Sequence, residues 1–217
     1  MAFERAAQAR RFPSYRGQRN FTGSYLAATT GTAIGFESWV ERDVVMGLDF
    51  DPEVTGFASQ PFALRWRSGR RERRHVPDYF ARLTDGTGLV VDVRPDSLVK
   101  PEDEVVFAVT RAACAEVGWE FCRTPGPGPV FAANLHWLAG YRWPRCFRPD
   151  IAERLVEVFD EPSPLMAGAC RAGDRIAVLP VLYHLLWRHV LDAADLRETV
   201  LGPGTAVCVS GREAEAQ

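Results

Sequence analysis

The chain has 217 residues, 47% of them hydrophobic and 25% charged, with a formal net charge of -2. That length and balance exclude a disordered or fibrous class and leave room for one large domain or two small ones. A charge so near neutral argues neither for nor against nucleic acid, so the distribution of charge has to carry that argument.

Five cysteines, Cys114, Cys122, Cys146, Cys170 and Cys208, show neither zinc-ligand spacing nor a disulfide framework. No run is long enough to cross a bilayer and the first residues hold no signal-peptide core. The expectation is therefore a soluble protein of a reducing compartment with no membrane partner. Of the 26 basic residues only Lys100 is lysine. With abundant Ala, Gly and Pro this suggests a GC-rich coding genome, in which an arginine can stand where chemistry prefers lysine.

Residues 1–35 read as a basic N-terminal arm that interleaves Arg5, Arg10, Arg11, Arg16 and Arg19 with Phe12, Tyr15, Phe21 and Tyr25, with a short hairpin around residues 29–32. Such a segment either grips a phosphate backbone or lies as a strap over the core. Residues 37–50 have helical spacing through Val40, Val44, Val45 and Leu48, with Glu37 and Glu41 four residues apart. Strands are expected over 62–67, 73–83 and 88–94, joined as a three-stranded meander, the last turn being Asp85-Gly86-Thr87-Gly88. A helix over 101–117, led by Glu102, Asp103 and Glu104 and closed by Gly118, crosses over to a parallel strand at 119–123. A helix over 130–141 completes an α/β domain spanning 36–142.

After a loop at 142–149, helices are expected over 150–159, 163–169 and 174–190, the last around Pro180. A small hairpin over 194–210 follows. Three helices and a two-stranded hairpin are winged-helix order, which gives a C-terminal domain over 143–211 and a frayed tail over 212–217.

The chemistry concentrates between Arg70 and Arg94. Alternation places Val76, Asp78 and Phe80 on one face of a strand and Val90, Asp92 and Arg94 on one face of the next, so two acids and a cation converge. Phosphodiester cleavage uses such parts: acids that hold a divalent ion against a phosphate oxygen, an activated water, and a cation that offsets the developing charge. Asp78 and Asp92 would ligate the metal with the Val93 carbonyl as a third oxygen, Glu41 would complete or position the metal-water shell, and Arg94 would stabilise the transition state. Arg70, Arg71, Arg73 and Arg74, with Arg65 and Arg67 nearby, form a basic patch suited to DNA, and His75 could contact phosphate or metal-bound water. The same pattern describes a surface hairpin in which Asp78 caps a turn and Asp92 and Arg94 form an ordinary ion pair. His136, His184 and His189 read as structural or surface residues, and no Ser/His/Asp arrangement or phosphate-loop pattern is present.

Several strings in order carry a resemblance. They are Glu37-Ser38-Trp39-Val40-Glu41-Arg42-Asp43, Leu48-Asp49-Phe50-Asp51-Pro52-Glu53-Val54, Ser59-Gln60-Pro61, Arg74-His75-Val76-Pro77-Asp78-Tyr79-Phe80 and Asp92-Val93-Arg94-Pro95. Over about residues 35–123 the chain resembles the TnsA-type endonuclease subunit of heteromeric transposases. The resemblance implies a restriction-endonuclease-like mixed sheet flanked by helices, followed by a winged-helix-like domain. It implies Mg2+-dependent (or Mn2+-dependent) cutting at the 5′ ends of a transposon, in a bacterial cytoplasm and on DNA. The implied partners are a DDE-type transposase and an AAA-type ATPase regulator that binds the C-terminal domain.

By motif position the family's helical glutamate falls on Glu41, its central aspartate on Asp78, its second metal ligand on Asp92 and its lysine on Arg94. Arginine keeps the charge but is a poor proton shuttle, so Lys100, folded back past Pro95, is an auxiliary candidate beside Glu37 and Gln60. Two alternatives remain at this point: a catalytically impaired DNA-binding subunit of the same kind of complex, and a stand-alone restriction-like nuclease.

Overall fold

The structure is a computed structural model that describes residues 2–10, 12 and 21–211. Arg11, Tyr15, Arg16 and Arg19 of the expected basic arm, and the tail over 212–217, lie outside the described residues. The chain divides into two compact units, residues 1–127 and 128–217.

The first unit is a mixed α/β assembly. A hairpin of β1 (Gly23–Leu26) and β2 (Ala33–Phe36) leads into helix α1 (Trp39–Phe50). The main sheet has the order β3-β6-β7-β8, with β3 (Val54–Ser59), β6 (Tyr79–Leu83), β7 (Gly88–Val93) and β8 (Glu120–Thr124). Strands β3, β6 and β7 run antiparallel, and β8 is parallel to β7 after the crossover helix α2 (Pro101–Glu116), as the sequence led us to expect.

The two faces of the sheet are covered differently. Tyr79, Ala81 and Val91 face a core built with Val44, Val45 and Leu48 of α1 and with Tyr25, Ile34 and Phe36 of the first hairpin. Phe80 and Val90 point the other way, toward Cys114 of α2, with Phe3, Phe62, Trp119 and Phe121 packed around them. Residues 21–36 are thus not an arm: Tyr25, Ala27, Ile34 and Phe36 are core, because alternation along a paired strand commits every second side chain to the interior. Asp49 at the end of α1 fixes that hairpin, accepting from the Tyr25 hydroxyl (2.8 Å) and from the backbone N–H of Ala28 (3.0 Å) and Thr29 (2.8 Å).

The expected meander is corrected. Residues 73–83 are not one strand, and the 62–67 segment does not join the main sheet. Instead β4 (Leu64–Ser68) and β5 (Arg71–His75) form a separate two-stranded ribbon, and the chain then bends through 76–78 before β6. Pro77 has no N–H to give a ladder, which is why a continuous strand fails there. The third meander strand is β3, which lies beside β6.

The second unit contains α3 (Pro129–Leu138), α4 (Pro149–Val158), α5 (Leu165–Ala172) and α6 (Arg175–Trp187). Its small antiparallel sheet has the order β10-β11-β9, made of β9 (Ser163–Pro164), β10 (Leu191–Ala193) and β11 (Ala206–Val209). Leu135, Ile151, Leu155, Phe159, Leu165, Leu182 and Leu191 are buried in it. Helix α3 therefore groups with the C-terminal elements and not with the sheet of the first unit. The buried Asn134 shows why: its amide donates to the carbonyls of Leu196 (2.7 Å) and Thr199 (2.9 Å) and accepts from the Leu201 N–H (2.8 Å). The two-stranded hairpin expected over 194–210 is a three-stranded sheet whose first long strand starts at Leu191, since α6 stops short of His189, which adopts a left-handed φ of 51°.

Candidate active site

Ser38 caps α1. Its hydroxyl accepts from the Glu41 N–H (3.2 Å) and donates to Glu41 Oε1 (3.1 Å), while Glu41 Oε2 accepts from the Glu37 backbone N–H (2.8 Å). Ser38 and Glu41 thus hold each other reciprocally, as Ser-x-x-Glu spacing allows, with the Glu41 carboxylate reaching the N–H one residue before the cap. Glu37 consequently precedes the helix and does not lie one turn along it. Burial raises the Glu41 carboxyl, the Glu37 N–H and the Ser38 hydroxyl oppose that, the Glu37 charge adds to the rise and Arg10 opposes it.

Asp78 sits in the bend before β6, where strand alternation does not govern it. Its Oδ2 accepts from the Val93 N–H at 2.7 Å, and its carbonyl accepts from the Gln60 N–H at 2.8 Å. Burial drives its carboxyl well above the usual aspartate range. Glu41 and Asp92 push it further up, the Val93 N–H pulls down, and Glu37 adds to the rise. Negative charge thus presses on Asp78 from three side chains. The same set acts on the buried Tyr79 hydroxyl, whose pKa burial, Glu41, Asp78 and Glu37 all raise.

Asp92 is 3% exposed and lies next to Val90 and Val91 in β7. Both of its oxygens face the His75 Nε2, at 3.0 and 2.8 Å, and Oδ1 lies 3.4 Å from the Asp78 N–H. His75 was expected among the DNA-binding residues; its ring turns inward to Asp92 instead. Asp92 also reaches Cys114, whose thiol is pushed up to about 11 by burial and then by the Asp92 charge.

Arg94 is not directed at the acids. Its Nε (3.2 Å) and Nη2 (2.9 Å) grip the carboxylate of Asp103 in the first turn of α2. Asp103 also accepts from the Lys100 backbone N–H (3.0 Å), and that N–H first, then Arg94, holds its carboxyl below the usual range. Lys100 is the N-cap residue of α2 and is exposed. Among the described residues no hydrogen bond joins its ammonium to Glu41, Asp78 or Asp92.

The basic group that does reach the cluster is Arg10. Its Nη1 donates to Glu37 Oε1 at 3.0 Å and its Nη2 to Glu37 Oε2, a bidentate fork. Gln60 Nε2 donates to the same Glu37 Oε2 at 2.9 Å. Gln60 is 2% exposed, holds a left-handed φ of 48°, and its Oε1 is buried without a hydrogen-bond partner. A left-handed, buried, half-satisfied glutamine is energetically costly.

The ribbon β4–β5 presents Arg65, Arg67, Arg70, Arg71, Arg73 and Arg74, all exposed. Arg65 stands directly opposite Arg74, and the acid relieving them is Glu72, 3.4 Å from Arg65. Like charges facing one another across a ladder are destabilising unless an anion joins them. A separate cavity of about 940 Å³ lies between the N-terminal residues, the first hairpin and β3, lined among others by Gln8, Phe12, Thr55 and Arg82. None of Glu37, Glu41, Asp78 and Asp92 lines it, so its volume is not that of the acid cluster.

No protein-family model matches this chain, and no curated protein is similar to it. The physical reading therefore stands on the residues themselves. The oxygen donors of Asp78, Asp92 and Glu41 fit a hard divalent cation in kind, and the charge crowded onto Asp78 is what such an ion would relieve. Among the described residues no three His, Cys, Asp or Glu side chains stand close enough together to hold one. No helix among the described residues is long and apolar enough to cross a membrane.

Proposed function

We propose that the chain is a metal-dependent DNA endonuclease subunit of a heteromeric transposase, cutting phosphodiester bonds at the 5′ ends of a mobile element. In this reading the first unit is restriction-endonuclease-like and the second a winged-helix-like partner-binding domain. The observation that carries it is Asp78, buried and pressed by Glu41, Asp92 and Glu37, in a bend that follows an exposed arginine ribbon. The resemblance of its ordered motifs to those of TnsA-type subunits is what suggests the reaction class.

Asp78 and Asp92, with the Val93 carbonyl and Glu41, would hold Mg2+ or Mn2+. Such an ion supplies a polarised phosphate oxygen and an acidified water. The chain's own residues do the rest. Asp78 is oriented by the Val93 N–H, Asp92 by His75, and Glu41 by the Ser38 hydroxyl. Arg70, Arg71, Arg73 and Arg74 attract and hold the DNA backbone.

A DDE-type transposase and an AAA-type ATPase are the partners this reading requires, in the cytoplasm of a bacterium. The second reading, a catalytically impaired architectural subunit, is favoured by one observation: Arg94, in the position of the family's lysine, is engaged with Asp103. Nicking of transposon-end DNA by the assembled complex in Mg2+ separates them. Wild type should nick and Asp78→Ala should lose at least about two orders of magnitude of rate. Equal inertness of the two, with DNA binding intact, would leave the architectural reading. Cutting by the isolated subunit without partners would favour a stand-alone nuclease.

A further inference from the structure

The N-terminal segment is fastened along the end of β3 at successive residues. Phe3 packs between Phe62 (ring centroids 5.1 Å apart) and Trp119 (5.4 Å), and Glu4 pairs with Arg82 at 3.2 Å. Gln8 Nε2 donates to Ser59 Oγ at 2.8 Å, and the Ala9 N–H donates to the Gln60 carbonyl at 2.8 Å. The next residue is Arg10, which these contacts deliver to Glu37 at the rim of the acid cluster. Its side chain is 37% exposed while that of Glu37 is 13% exposed, so the fork is planted in protein and its outer edge faces solvent. Two guanidinium nitrogens each spend one N–H on Glu37, and among the described residues the Nε–H and the outer N–H bonds have no partner.

We infer that Arg10 is the phosphate-binding cation of the acid cluster, filling the place that sequence position assigns to Arg94. The inference rests on the nucleic-acid reading proposed above, and its own ligand is a DNA phosphodiester. Three observations carry it. Arg94 is turned away onto Asp103. Arg10 is oriented by a bidentate carboxylate, which removes most of the rotamer entropy that a free arginine loses on binding phosphate. Glu37 is itself held, by the Gln60 amide at 2.9 Å, so the pair is a built mount and not two flexible surface side chains. The influence of Arg10 on the Glu41 carboxyl agrees with this placement.

The test is binding of a fluorescein-labelled DNA duplex by the full chain across a salt series, in Ca2+ so that affinity is read without cutting. Arg10→Ala should weaken binding about 3- to 10-fold and reduce the slope of log K against log[salt] by about one, as loss of one phosphate contact does. Arg10→Lys should restore the slope and part of the affinity. Glu37→Gln loosens the fork but keeps the guanidinium, so it should keep the wild-type salt slope.

An Arg10→Ala protein with wild-type affinity and slope overturns the inference, as does a wild type that does not bind the duplex. A Glu37→Gln protein whose salt slope falls by about one, as in Arg10→Ala, also overturns it, because the lost contact would then not be that of the guanidinium. Cleavage is not the readout, so a complex that fails to nick leaves this result standing on its own and counts against the nuclease reading alone.

Discussion

Burial raises the Asp78 carboxyl, and Glu41, Asp92 and Glu37 add to the rise, so without a bound cation the native state retains a proton that the unfolded chain releases. The sign follows from linkage: a native state that binds more protons loses stability as pH rises from the ordinary aspartate range through the raised value, and the loss levels off above it. Asp78→Asn removes the charge and keeps an oxygen to accept from Val93. In EDTA it should melt about 3 °C above wild type at pH 8, with the gap closing as the pH is lowered through the window, read by differential scanning calorimetry. Asp49, also buried, accepts from three donors. Asp49→Ala strands the Tyr25 hydroxyl and two backbone N–H groups and should lower stability by about 2–4 kcal/mol, measured as a shift in the urea midpoint. At this scale the sequence was uneven evidence. Types and order placed Glu41, Asp78 and Asp92 within one electrostatic cluster. The partners of Arg94, His75 and Arg10 were not legible, since each is a long-range contact fixed by where α2, β7 and the N-terminal strap come to rest.

Elements with strong local signals were readable. The acids ahead of α2 and Gly118 behind it bracket that helix, and the Asp-Gly turn joins β6 to β7. The failure at residues 76–78 is instructive, because alternation was extended through Pro77, which cannot donate to a ladder. That break frees β4–β5 as an independent ribbon. Its arginines lie outside the core, so their job is not stability. Replacing Arg70, Arg71, Arg73 and Arg74 together by Ser should leave the melting temperature within about 1 °C of wild type. The same change should cut DNA affinity by at least about tenfold and flatten its salt slope by about three, in electrophoretic or anisotropy titrations. An unchanged slope would mean that the ribbon does not contact phosphate. The ribbon also reaches inward: β5 ends at His75, whose ring holds Asp92, so a ligand on the arginines and the geometry of the acids share one element.

The molecule comprises two compact units. The parallel β8 after α2 was legible because that crossover obeys length and handedness rules, whereas β3 and the separate β4–β5 ribbon were not. Nor was the boundary. Helix α3 carries no mark in its own residues of which unit it joins, and the buried hydrogen bonds of Asn134 decide it. The first unit carries a cluster of acids, Glu37, Glu41, Asp78 and Asp92, met by the Arg10 fork on Glu37 and by His75 on Asp92. The direct measurement is a Mn2+ titration of the isolated chain, followed by electron paramagnetic resonance of the free ion and repeated with Asp78→Asn. The account predicts that wild type binds Mn2+ and that Asp78→Asn binds it at least about tenfold more weakly, as loss of a carboxylate ligand demands. Equal affinity in the two proteins would contradict a metal site at Asp78.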